Sequence, residues 1–164
     1  MPEQKTLERA SKAKRAGKSP STQAGAFVKE QIDHIREGKH GAKSAKQAIA
    51  IGLSEARRSG VKMKAPKKGT TAEATRKKAA QDTKASHRTK KSPSTESKAK
   101  RSAASTRALK RESTKAASHK ALSRQSHAAS SRRSAADRSA AAKKGWATRR
   151  ANAAKGSRTR HASR

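Results

Sequence analysis

Glu30, Asp33, His34 and Glu37 fall within two turns of one predicted helix, and carboxylates grouped around an imidazole can hold a divalent metal or exchange protons. The same positions border an apolar stripe made by Ala24, Phe27, Val28, Ile32 and Ile35, and solvated charges belong on such an edge. The solvated-edge reading is the stronger, so neither a catalytic nor a metal site is expected there. Other residue types agree with it. The chain has no cysteine, its His residues at 34, 40, 87, 119, 127 and 161 share no ligand spacing, and glycines 38, 41, 52 and 60 match neither a Walker nor a dinucleotide-binding loop. A catalytic pocket also needs a core to surround it, which this composition cannot supply. The expectation is a protein that is not an enzyme and carries no cofactor.

What remains is cationic chemistry. Forty-four Lys and Arg stand against 11 Asp and Glu, a formal charge of +33 over 164 residues. The imbalance is greatest in residues 65–164, with 29 cations and five acids, against 15 and six in residues 1–64. A polyanion is the expected partner, because cations that displace condensed counterions from phosphates need no pocket. The candidate contacts are Lys67, Lys68, Arg76, Lys77, Lys78, Lys90, Lys91, Lys100, Arg101, Lys110, Arg111, Arg132, Arg133, Lys143, Lys144, Arg149 and Arg150, with Trp146 among the last of them. From Ala99 onward the basic pairs recur near every eleven or twenty-two residues, close to whole helical turns, so in one continuous helix they would share a face. Trp146 has two equal readings, stacking on or wedging between bases, or a local apolar contact. Aromatic content of 1% argues against the stacking platforms that grip single strands, which favours duplex DNA and leaves structured RNA open.

The elements that must carry these residues are few. Residues 1–18 read as a basic, disordered arm. Ser19 and Pro20 give a helix start, the apolar stripe carries the helix to Glu37, and Gly38 supplies a left-handed cap. Ser44 and Gln47 form a capping box for a second helix over about 45–59, with Ala45, Ala48, Ile49, Gly52, Leu53 and Ala56 on one face and Gly60 as the stop. Residues 19–64 thus form a helical hairpin. Ile51 lies off the stripe and needs cover from Val61, Met63 or a second copy, which leaves a homodimer through residues 27–63 open.

Of fourteen large apolar residues only Leu109, Leu122 and Trp146 lie beyond position 64. The expected fold class is therefore mostly disordered with α: a small helical hairpin, then a basic low-complexity tail over 65–164 that becomes helical on binding. Lys-Ser-Pro-Ser-Thr occurs at 18–22 and again at 91–95, which is more simply a reused helix start than a phosphorylated element at Ser19 and Ser92. No apolar run approaches the ~20 residues that span a bilayer, and the basic half lacks an apolar face for a membrane surface.

Two resemblances follow from these residues. The Ala/Lys/Ser-rich stretch over 65–164 is compositionally similar to the histone H1-like nucleoid proteins of bacteria and to linker histone tails. The run from Lys46 to Gly60, with Gly38-Lys39-His40-Gly41 before it, resembles a segment of small basic bacterial proteins of uncharacterised function, over about residues 22–63. The first resemblance implies a non-specific, histone-like DNA-binding protein that neutralises and condenses DNA, cytoplasmic and nucleoid-associated. The alternatives are an RNA- or ribosome-associated basic protein, and a protein-interaction module localised by its basic tail.

Overall fold

A computed structural model describes residues 2–66, 68–86 and 98–161, with the side chains of 98, 99, 101 and 154–161 left aside. Serine caps start most of its helices. The Ser19 side chain accepts a hydrogen bond from the Thr22 amide, and Pro20, already fixed at helical φ, opens α2 (Pro20–Arg36). The Ser44 hydroxyl accepts from the Gln47 amide at 3.2 Å and starts α3 (Ala45–Arg58). Gln47 returns the bond to the amide of Lys43, one residue before the position a regular capping box would use. Gly38 has φ +73° just past α2, the left-handed stop its sequence position implies.

These two helices pack through small residues. A Cβ on Gly52 would lie 2.7 Å from the Val28 Cα, so the α2 backbone approaches α3 where only glycine fits. Phe27, Ala24 and Ala56 are fully buried, joined by Val61 and by Ala10 from α1 (Gln4–Arg15), with Leu53 and Met63 against them. The segment expected as a disordered arm is thus a helix whose Ala10 completes the core. Ile51 is half-buried.

The main correction concerns residues beyond 64. They are largely helical in the structure, and the expectation of a mostly disordered, low-complexity tail is overturned. Beyond α3 come α4 (Glu73–Ser86), α5 (Lys98–Lys110), a short 3-10 turn (Thr114–Ala117), α6 (His119–Ser131) and α7 (Ala135–His161). Two physical reasons explain the difference. First, alanine serves as a core residue. Ala116 and Ala117 join Ile35, Ala42 and Ala48 in a second buried cluster with Ile32 against it, and Ala79 of α4 is 5% exposed. A core built from methyl groups leaves no trace in the number of large side chains. Second, Ala carries the lowest cost of any residue in a helix, so α7, at 27 residues, far exceeds the length at which Ala-rich helices become stable in water.

Hydrogen bonds to its backbone carbonyls tie the returning segment down. The Gly41 amide donates to the Leu109 carbonyl at 2.9 Å, Ala42 to Ser113, and the Arg36 Nε to the Ala117 carbonyl. A Cβ on Gly41 would run into the Glu112 carbonyl, which makes glycine obligatory there. On the other side, Asp82 of α4 is 4% exposed and accepts a 2.6 Å bond from the Ser54 hydroxyl of α3.

The chain divides into two compact units, Met1–Leu122 and Ser123–Arg164, with the division inside α6. The first holds both buried clusters. The second comprises the rest of α6 and α7, and its described side chains are exposed almost throughout.

Candidate nucleic-acid interface

The proposed basic contacts divide according to whether an acid already holds them. On α4, Arg76 makes a two-pronged pair with Glu73 at 2.7 and 2.9 Å. That hydrogen bond holds the Glu73 carboxyl below the usual range and raises the Arg76 guanidinium. Lys78, exposed like its neighbour Lys77 and like Lys68 in the turn before the helix, stands 3.6 Å from the buried Asp82, whereas Lys77 and Lys68 have no such acid among the described residues. Lys100 and Lys110 are exposed on α5, and Arg111 is exposed in the turn that follows. Lys67, Lys90, Lys91 and Ser92 lie outside the described residues, as does the side chain of Arg101.

Arg132 and Arg133 are exposed in the turn between α6 and α7, and Lys143, Lys144, Arg149 and Arg150 are exposed on α7. No described cation in this second unit has a carboxylate within ion-pair distance. Asp137, its one acid, is bonded to Ser134 at the start of α7. There the pair caps the helix and places a negative charge against its positive end. Trp146 is 61% exposed and covered on one side by Arg150, whose guanidinium carbon is 5.0 Å from the ring centroid. The local contact that Trp146 makes is therefore with a cation and not the apolar one foreseen, while its exposure leaves ring surface free to stack.

The structure does not bring the basic pairs onto one helical face. Ser113, Ser118 and Ser134 each accept a backbone amide and begin a new element, so the chain turns between the pairs at 110–111 and 132–133 and again between 132–133 and 143–144, while 100–101 and 110–111 follow one another along α5 and the turn after it. In sequence these serines pass for composition, although their capping role is the signal that breaks the helix. Within α7, Arg138 and Arg149 are three turns apart and share a face, Lys143 and Arg150 occupy a second, and Lys144 a third. Cations encircle this helix.

Exposed cations outside the proposed set include Arg124 and Arg138, and Lys5, Arg9, Lys12, Lys14 and Arg15 on α1. The charge imbalance of residues 65–164 draws attention away from this N-terminal group. Nor are Glu30, Asp33, His34 and Glu37 a uniform solvated edge. Asp33 pairs with the exposed Lys29, but Glu30 is only 6% exposed and His34 contacts Glu3 of the N-terminal segment.

Residues 11–69 match a family of unknown function, DUF6496. The matched segment takes in the end of α1, both helices of the α2–α3 pair and the following loop, including Gly38, Gly41, Gly52 and Gly60. It leaves out α4 to α7, where most of the proposed contacts lie. Neither curated proteins nor solved structures yield a match to the chain. Among the described residues no helix is long and apolar enough to cross a membrane.

Proposed function

We propose that the protein binds duplex DNA without sequence preference, neutralising and drawing together DNA segments in the compartment where it is made. The observation that carries this reading is the second unit, where Arg124, Arg132, Arg133, Arg138, Lys143, Lys144, Arg149 and Arg150 are all exposed and unanswered by acids. These eight charges, all between positions 124 and 150, repel one another in the free protein. Phosphates relieve that repulsion and release counterions as they do so. Because the cations surround α7, one phosphate backbone cannot meet them all. A groove flanked by two backbones, or two neighbouring duplexes, fits their arrangement better, and this supports condensation over simple coating. The helix offers little for reading bases, since specificity needs several side chains directed at base edges.

The test is fluorescence anisotropy of the full chain with a mixed-sequence duplex over a range of salt, with structured RNA as competitor. Replacing Arg132, Arg133, Lys143, Lys144, Arg149 and Arg150 by Gln should flatten the logarithmic salt dependence by about 5, at about 0.9 for each phosphate no longer neutralised. An unchanged slope places the binding elsewhere. Ready displacement by RNA at matched salt moves the assignment to structured RNA, which presents the same phosphates.

A further inference from the structure

Four of the eleven acidic residues of this basic chain gather in one place. Glu3, Glu30, Asp33 and Glu37 line a polar cavity of about 250 Å³ between the N-terminal segment and α2, with His34 and the cations Lys5, Arg9, Lys29 and Lys39 among them. Three have cationic partners. Asp33 is paired with Lys29, Glu37 with Lys39 at 2.9 Å, and Glu3 with the His34 Nε2 at 2.9 Å and Lys39 at 3.5 Å. Glu30 has none. It is 6% exposed, its Oε1 accepts the Glu3 amide at 2.8 Å, and its Oε2 is buried without any hydrogen-bond partner. A buried carboxylate oxygen left in this state is costly unless something positive reaches it.

One ligand atom from each of Glu3, Glu30 and His34 lies within 4.8 Å of the other two. We propose that these residues form a binding site for one divalent transition-metal ion, of which zinc is the type. An imidazole nitrogen with two carboxylate oxygens suits such an ion, whereas magnesium and calcium favour oxygen alone. The ion takes the place of the hydrogen bond between His34 and Glu3 and reaches the vacant side of Glu30, and Lys39 keeps Glu37 as its partner. The small closure required falls on Glu3, whose side chain is 52% exposed. With residues on both sides of the α1–α2 junction as ligands, the metal is a clamp that fixes α1 to α2, with no catalytic role.

The experiment uses the full chain freed of metal, titrated with Co²⁺ followed by visible absorption and with Zn²⁺ by calorimetry. The expected result is one ion per chain, with cobalt bands that zinc displaces. His34→Ala and Glu30→Gln each weaken binding by at least about tenfold, the lower end of what even outer partners of a metal contribute. Glu3→Gln, at an exposed side chain, gives the same loss without touching the buried cluster, so impaired folding cannot account for it. His127→Ala, in α6, leaves binding unchanged. Absence of cobalt bands, or bands that survive both His34→Ala and Glu3→Gln, overturns the proposal.

Discussion

Gly41 shows how one residue can determine where a distant segment settles. Its amide bonds to the Leu109 carbonyl and its missing side chain leaves room for the Glu112 carbonyl. Gly41→Ala should therefore destabilise the first unit by about 1 to 3 kcal/mol, the usual cost of overpacking, seen as a lower urea midpoint at an unchanged slope. Glu55 gives a pH-dependent counterpart. Burial, then the nearby negative charge of Glu30, raises its carboxyl above the ordinary value, while Gln31 donates to it at 2.8 Å. The folded state thus binds this proton more tightly than the unfolded chain, and stability falls as pH rises from about the ordinary carboxylate value through the raised one. Glu55→Gln should stabilise the protein at neutral pH and lose its advantage below about pH 4.5, where the native carboxyl is protonated in both states. Thermal unfolding of the two chains at pH 7 and pH 3.5 checks the sign; an equal gain at both values contradicts it.

At the level of elements, α2 and α3 were legible because their signals are local and redundant: a capping serine, an apolar period and a glycine stop, all in or within two residues of helices of 17 and 14 residues. The later helices lacked the apolar period, and their serines and alanines carried the information instead. Ser134 with Asp137 is a cap of the same kind as Ser44 with Gln47, but no apolar stripe followed it to draw attention. Ser134→Ala should cost about 1 kcal/mol at the start of α7, read as faster hydrogen exchange of its first-turn amides with α2 and α3 unaffected. The candidate interface was legible in composition and not in arrangement. Sequence identified the cations but could not show that Glu73 and Asp82 engage Arg76 and Lys78, or that α7 is ringed instead of striped. Trp146 is the chain's one tryptophan, so its emission reports on α7 directly. Saturating duplex DNA should change that emission, and an unchanged spectrum at full binding would remove α7 from the interface.

On the scale of the whole molecule, the fold depends on distant segments returning to the α2–α3 pair. A chain ending at residue 64 loses Ala116 and Ala117 from the cluster around Ile35, together with the Asp82 bond to Ser54. It should be less stable by on the order of 2 kcal/mol for the exposure of Ile35 alone. A chain ending at residue 131 keeps this packing and should retain the thermal midpoint of the first unit. Equal midpoints for the two truncations would show that the returning segment contributes nothing. Deletion at residue 64 is accordingly a poor way to remove basic residues, because it also opens the core.

The hydrogen bond from Arg36 to the carbonyl of Ala117 spans 81 residues, and this separation has a consequence for the order of events during synthesis. At about 5 to 20 residues per second, α2 leaves the ribosome roughly 4 to 16 seconds before the alanines that cover Ile35. Through that interval the nascent chain presents an incomplete apolar face, and closing so long a loop carries an entropic cost that local helix formation does not recover. Folding of the first unit is therefore expected to end with this closure, and crowded translation should expose the chain to aggregation most during that wait.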